Sequence, residues 1–152
     1  MISVKLIDEK LIKVNIELNN KKEVIKEFSN LLSINDRISN KELFEKDVIE
    51  RESELSTSMG YGIAIPHTQS ESVSETSLVF LKLSEAIDWD NDKVQMVLGI
   101  AVPYSKREEK HLKILSALAR KLMNEEFREG LLNVTLPSEA MQYLSFLNLE
   151  IE

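Results

Sequence analysis

An α/β fold is what the sequence predicts: a single-domain sandwich in which a mixed β-sheet is flanked by helices on both faces. Leu78 to Leu83 and Val94 to Val102 are nearly continuous apolar runs rich in Val, Ile and Leu, the pattern of interior strands covered on both sides. Helix-start signatures stand before these runs at Asn20 and Ser39 and after them at Ser105, so both faces of the sheet have helices to cover them. The length of 152 residues fits one domain with its own core.

Each element has a local reason. Leu11 to Leu18 places Ile12, Val14, Ile16 and Leu18 at alternate positions, the period of a half-buried strand. Asn20-Lys-Lys-Glu23 pairs a cap residue with a glutamate three positions on, and Val24, Ile25, Phe28, Leu31 and Leu32 then share one helical face. Ser39-Asn-Lys-Glu42 repeats that signature and opens a second helix running to about Ser53. Ile63-Ala-Ile65, between Gly62 and Pro66, is a short β-prone run. Ser105-Lys-Arg-Glu108 starts a long helix with Leu112, Leu115, Ala119 and Leu122 at helical spacing, and short helices are expected at Glu125–Leu132 and Pro137–Leu147.

Composition narrows the function. With no cysteine there is no thiolate nucleophile or disulfide, and two histidines cannot build a multi-histidine zinc site. The net charge of −7 argues against nucleic-acid binding. The N-terminus lacks a secretory h-region and the longest apolar run, Met96 to Val102, is too short to cross a bilayer. A cytoplasmic protein without direct membrane insertion is expected, with no metal and no cofactor.

Few residues remain for chemistry. His67 follows Pro66, whose φ is fixed, at the end of a short strand. That is a rigid mount for an imidazole, or a surface-turn histidine that caps a strand. Gly60 and Gly62 just before it can take positive φ and turn backbone N–H groups toward an anion. His111, near the start of the long helix, shares a stripe with Leu115, Leu118 and Leu122. It reads as a neutral hydrogen-bond donor or as a core histidine satisfied by a carbonyl. Arg51 falls on the stripe Phe44, Val48, Arg51, Leu55. A guanidinium there needs an anion: a phosphate or carboxylate to clamp, or a structural ion pair with Glu50, Glu52 or Glu54. Ser56-Thr57-Ser58 reads as an oxyanion site or as plain turn residues. The acidic set Glu85, Asp88, Asp90 and Asp92 lacks the calcium-loop pattern and is read as a solvated loop. Lys106, Arg107 and Lys110 are read as a solvated face at a helix start.

Taken together, Arg51-Glu52…Ser56-Thr57…Gly60…Gly62-Ile-Ala-Ile-Pro-His67, with His111-Leu112 opening a helix, resembles the EIIA domains of the bacterial phosphoenolpyruvate-dependent sugar phosphotransferase system, fructose/mannitol family. The resemblance covers almost the whole chain and implies one EIIA-like phosphoacceptor domain over residues 1–152. It implies that His67 accepts a phosphoryl group through Nε2 from phospho-HPr and passes it to a cysteine of EIIB, which serves the membrane component EIIC. The activity implied is protein-histidine phosphotransfer. His111 would bind a phosphoryl oxygen and Arg51 would neutralise the phosphate or position its loop. Thr68 stands where many members have glycine, and Gln69-Ser-Glu71 lacks a basic residue often found there. These departures bear on sugar class and partner preference. The same domain type also serves as a regulatory phosphoacceptor, nitrogen-type or attached to transcription regulators, that signals by protein binding. The Met1 start points to a freestanding EIIA.

Overall fold

The computed structural model describes residues 5–104 and 107–150, with the side chains of 107–111 and 150 outside the description. Six strands form one mixed sheet in the order β1-β5-β6-β3-β2, with β4 also pairing to β6. The strands are β1 (Ile12–Ile16), β2 (Ser58–Gly60), β3 (Ile63–Ala64), β4 (His67–Ser70), β5 (Ser77–Trp89) and β6 (Asp92–Pro103). The helices are α1 (Lys21–Ile34), α2 (Lys41–Glu54), α3 (Arg107–Leu122), α4 (Glu125–Leu132), α5 (Pro137–Leu144) and α6 (Phe146–Glu150). The expected sandwich is therefore observed.

Long strands β5 and β6 form its centre, antiparallel from Ser77↔Ala101 to Trp89↔Asp92. Their alternate side chains feed two cores. On one face, Phe80, Leu98 and Ile100 pack with Ile114, Leu118 and Leu122 of α3 and with Leu131, Ala140, Leu144 and Leu147 of the later helices. On the other, Val79, Leu81, Val97 and Ala101 pack with Val24, Phe28, Leu32, Phe44 and Val48 of α1 and α2. Phe28 meets Phe44 edge to face at 5.0 Å, and its ring lies over Gly99, where an added Cβ would come within 2.7 Å of it. Only a glycine lets the ring sit against the sheet there.

Asn20 caps α1 as expected, accepting from Glu23 N at 2.9 Å. The second cap is Asn40, not Ser39; its side chain accepts from Leu43 N, while Ser39 N donates to Ser72 O. The start signature at Ser105 lies outside the described residues, as do Lys106 and the side chains of Arg107 and Lys110. On α3 the inner face is Ile114, Ala117, Leu118 and Leu122; Leu112 is 64% exposed, Ala119 is exposed and Leu115 half-buried. The expected stripe was thus rotated toward solvent. The expected last helix breaks at Ser145 into α5 and α6.

The acidic segment is a hairpin and not a loop. Glu85 and Asp88 belong to β5, and Asp92 opens β6 after a tight turn with Asp90 at φ 58°. Asp88 pairs with Lys93, Asp90 with Lys21, and Asp92 accepts from Ser58 Oγ. Among the described residues no helix is long and apolar enough to cross a membrane.

Candidate functional site

Strands β3 and β4 both run parallel to β6, divided by Ile65-Pro66. The proline has no N–H to give to the ladder, so pairing is interrupted there, while the register against β6 is kept on both sides. Pro66 O still accepts from Ile100 N at 2.9 Å, which anchors the next residue. His67 then sits in register with Ile100, on the sheet face that α3 covers.

The Ile65 carbonyl, two residues back, meets the imidazole. His67 Nδ1 lies 2.8 Å from Ile65 O. A carbonyl can only accept, so Nδ1 carries the proton and Nε2 the lone pair. His67 as a residue is 7% exposed. Burial is the largest influence and pushes its pKa below the ordinary value; Ile65 O opposes this, the Arg51 charge adds to it, and Glu52 opposes it. Near neutral pH the group is an unprotonated imidazole with a fixed tautomer.

Arg51 reaches the same place from α2. With His67, Thr68, Gln69, Asp47, Glu50 and Glu54 it lines a cleft of about 360 Å³. Its Nη1 donates to Leu55 O at 3.0 Å, closing the end of its own helix. Arg51 is half-buried and does not face the core. The inner stripe of α2 runs Phe44, Val48, Glu52, at steps of four, while Leu55 is 70% exposed. Among the described residues Arg51 forms no ion pair, so the structural pairing with its glutamate neighbours is absent.

The inward residue is Glu52, which sequence reasoning treated only as a partner for Arg51. Its carboxylate pairs with Lys21 at 2.8 Å and accepts from Thr57 N and from Thr57 Oγ1. Lys21 also pairs with Asp90 and lies over the Trp89 ring. Burial lowers the Lys21 pKa, but the two carboxylates outweigh it and hold it above the usual value. The buried charge is thus fully compensated. Step arithmetic from Phe44 would have found Glu52. Ser56 and Ser58 bond each other, and Ser58 bonds Asp92, so these hydroxyls hold the loop and form no oxyanion cup.

Two expected contributors are placed differently. Gly60 and Gly62 do have positive φ, 87° and 76°. Gly62 O, however, accepts from Gln95 N, five residues before the Ile100 level of His67. At ~3.3 Å per residue that is about 16 Å away, too far for these amides to touch a group on His67. His111 lies in the first turns of α3, whose Ile114 joins Ile100 in one core. The topology brings it to the His67 end of the sheet; its side chain lies outside the described residues.

Comparison with known proteins identifies a family and a fold. Residues 5–146 match the family described as phosphoenolpyruvate-dependent sugar phosphotransferase system, EIIA 2. The chain is 32% identical to a multiphosphoryl transfer protein of Shigella flexneri over 139 residues, 91% of this chain and 16% of that one. It therefore spans about a sixth of the length of such relatives. It is 40% identical over 99 residues to a fructose-specific EIIA component of Haloferax volcanii, covering 63% of this chain and 64% of the other. The nitrogen regulatory protein IIA-Ntr of Neisseria meningitidis superposes with a TM-score of 0.84 at 26% identity, covering 91% and 96% of the two chains. The family match takes in the whole sheet and the positions of Arg51, His67 and His111, and the chain belongs to the EIIA 2 family of the phosphoenolpyruvate-dependent sugar phosphotransferase system.

Proposed function

We propose that the chain, as one phosphoacceptor domain over residues 1–152, is a cytoplasmic phosphohistidine carrier of the sugar phosphotransferase system. His67 takes a phosphoryl group from phospho-HPr and gives it to a cysteine of an EIIB domain, which serves EIIC at the membrane. The activity is that of a protein-histidine phosphotransferase, and neither metal nor cofactor enters it.

The observation that carries this reading is the bond between His67 Nδ1 and Ile65 O. It leaves the lone pair on Nε2. In the transfer step that pair attacks phosphorus, the donor's N–P bond breaks, and its electrons return to the donor imidazole. The His67 ring gains positive charge, and Ile65 O accepts from the Nδ1–H that shares it. Onward transfer runs the same way: an EIIB thiolate attacks phosphorus and the N–P electrons return to Nε2. Such transfer has a loose transition state, so placing the groups and stabilising the phosphoryl oxygens are the protein's main tasks. Arg51, in the His67 cleft, offsets the phosphoryl charge in a site that also holds Asp47, Glu50 and Glu54. His111 donates one N–H to a phosphoryl oxygen.

The test is incubation with phosphoenolpyruvate, enzyme I and HPr, then mapping of the acid-labile phosphate by mass spectrometry. Label on His67, lost in His67→Ala, is expected; full labelling of His67→Ala would remove the assignment. The likeness to the Neisseria nitrogen regulatory protein favours a second reading, a phosphoacceptor that signals by binding other proteins. Transfer of the label to purified EIIB supports the carrier reading, and stable retention supports the regulatory one.

A further inference from the structure

Among the described residues, strand β4, which carries His67, pairs with a neighbouring strand on one side only, along β6. On its other flank lies helix α2, which carries Arg51. Backbone bonds between 37–39 and 72–74, among them the Ile38↔Val73 bridge, tie the start of that helix to the segment after the strand. Within the helix and the strand themselves, a side-chain bridge among the described residues joins the two. Ser70 Oγ, on a residue 1% exposed, donates to Asp47 Oδ2 at 2.6 Å. The same oxygen is 2.7 Å from Ser72 Oγ and accepts from Ser72 N at 3.2 Å. Ser72 O in turn takes the amide of Ser39, next to the α2 cap.

The placement of these residues gives the bridge a functional consequence. Asp47 and Arg51 are one helical turn apart, so they share a side of α2, and both line the His67 cleft. Ser70 ends the four-residue strand that His67 begins. The bond from Ser70 to Asp47 therefore couples the ends of two short rigid segments whose other ends are the imidazole and the guanidinium. A charge-assisted bond to a buried hydroxyl is the strong kind, and it is directional.

We propose that Ser70, through Asp47, is a positioning residue for phosphoryl transfer: it sets the spacing between His67 and Arg51. This rests on the phosphocarrier reading. Ser70 is neutral, so its removal alters geometry without altering charge. The charged groups that face His67 are Arg51 and Glu52, with Asp47, Glu50 and Glu54 around the cleft; the side chains at 107–111 are outside the description.

The experiment is a double-mutant cycle on the full chain with Ser70→Ala, Arg51→Gln and the pair. Three quantities are read: single-turnover phosphorylation by phospho-HPr, the His67 titration by NMR, and the melting temperature. Ser70→Ala is expected to slow transfer roughly tenfold and to raise the His67 pKa, because Arg51 drifts away. In the Arg51→Gln background the same change should do neither. Equal effects in both backgrounds, or a lower melting temperature with unchanged transfer and titration, would overturn the proposal. Should Ser70→Ala not fold, Ser70→Cys fills the same space with a weak donor, leaves the charge unchanged and enters the same cycle. If the wild type takes no phosphate from HPr, the phosphocarrier reading fails, and the titration cycle still reports whether the bridge sets the spacing.

Discussion

Helices α1 and α2 are each 14 residues long, each begins on an asparagine whose side chain caps it, and they meet through Phe28 and Phe44. Yet α1 buries Val24, Ile25, Phe28, Leu31 and Leu32 along nearly its whole length, whereas α2 buries Phe44, Val48 and then Glu52. The inner face of α2 stops being apolar where the helix nears the edge strand that bears His67. Beyond that point its residues are a compensated carboxylate, an arginine in the cleft and an exposed leucine. In the proposed function one helix is scaffold, and the other is scaffold for half its length and contributes to the site for the rest. A core-facing charge with built-in partners marks the change, and the arginine beside it lines the cleft that holds His67.

That contrast can be broken by substitutions that exchange the two roles. The largest effect should come from Phe28→Ala, which empties a fully buried site and should cost about 3–5 kcal/mol in urea unfolding. The fraction that stays folded should accept phosphate at the wild-type rate. Slowed transfer in folded Phe28→Ala would show that α1 also belongs to the site. Gly99→Ala pushes a methyl into the same ring and should cost about 1–3 kcal/mol, again with normal transfer.

Arg51→Lys should reverse that signature. Stability should change by less than about 0.5 kcal/mol, since the residue is only half-buried. Transfer should slow by about one to two orders of magnitude, because the ammonium cannot reproduce the guanidinium fork. Loss of stability with unchanged transfer would return Arg51 to a structural role. His111→Ala should still be labelled on His67 but pass the group on more slowly, by about 1.5–3 kcal/mol of lost charge-assisted hydrogen bonding. An unchanged rate of transfer to EIIB would make His111 an ordinary helix residue.

The architecture was legible because periodicity speaks for it. The runs at Leu78 and Val94 became the two central strands, and Glu125–Leu132 is the observed α4. Rotations and registers were less legible. Arg51 and Glu52 differ by 100° around a helix, and the stripe from Phe44 accommodates either when only some core positions are apolar. The same ambiguity turned the expected α3 face toward Leu112. The glycine turn and His67 are five residues apart in sequence, yet the extended pairing with β6 separates them along the sheet. Sequence proximity cannot show that distance. The Ser70–Asp47 bridge links strand to helix across 23 positions, with no spacing rule to announce it.

The smallest effect concerns pH. The folded His67 pKa lies below its ordinary value near 6.5. As pH falls through that value the unfolded chain binds the proton first, so stability contributed by this group is present above pH ~6.5 and is lost as pH falls toward the folded pKa. Phosphate acceptance should hold at acidities where a free imidazole is already mostly charged. A rate that falls with a midpoint at or above the free-imidazole value would contradict the buried, neutral ring.

The measurement that bears most directly on the account is nitrogen NMR of the His67 ring before and after phosphorylation through the enzyme I and HPr relay. Before transfer, the proton should be found on Nδ1; after it, phosphorus should be bonded to Nε2 with the Nδ1–H retained. Phosphorus on Nδ1, or on any residue other than His67, would contradict it.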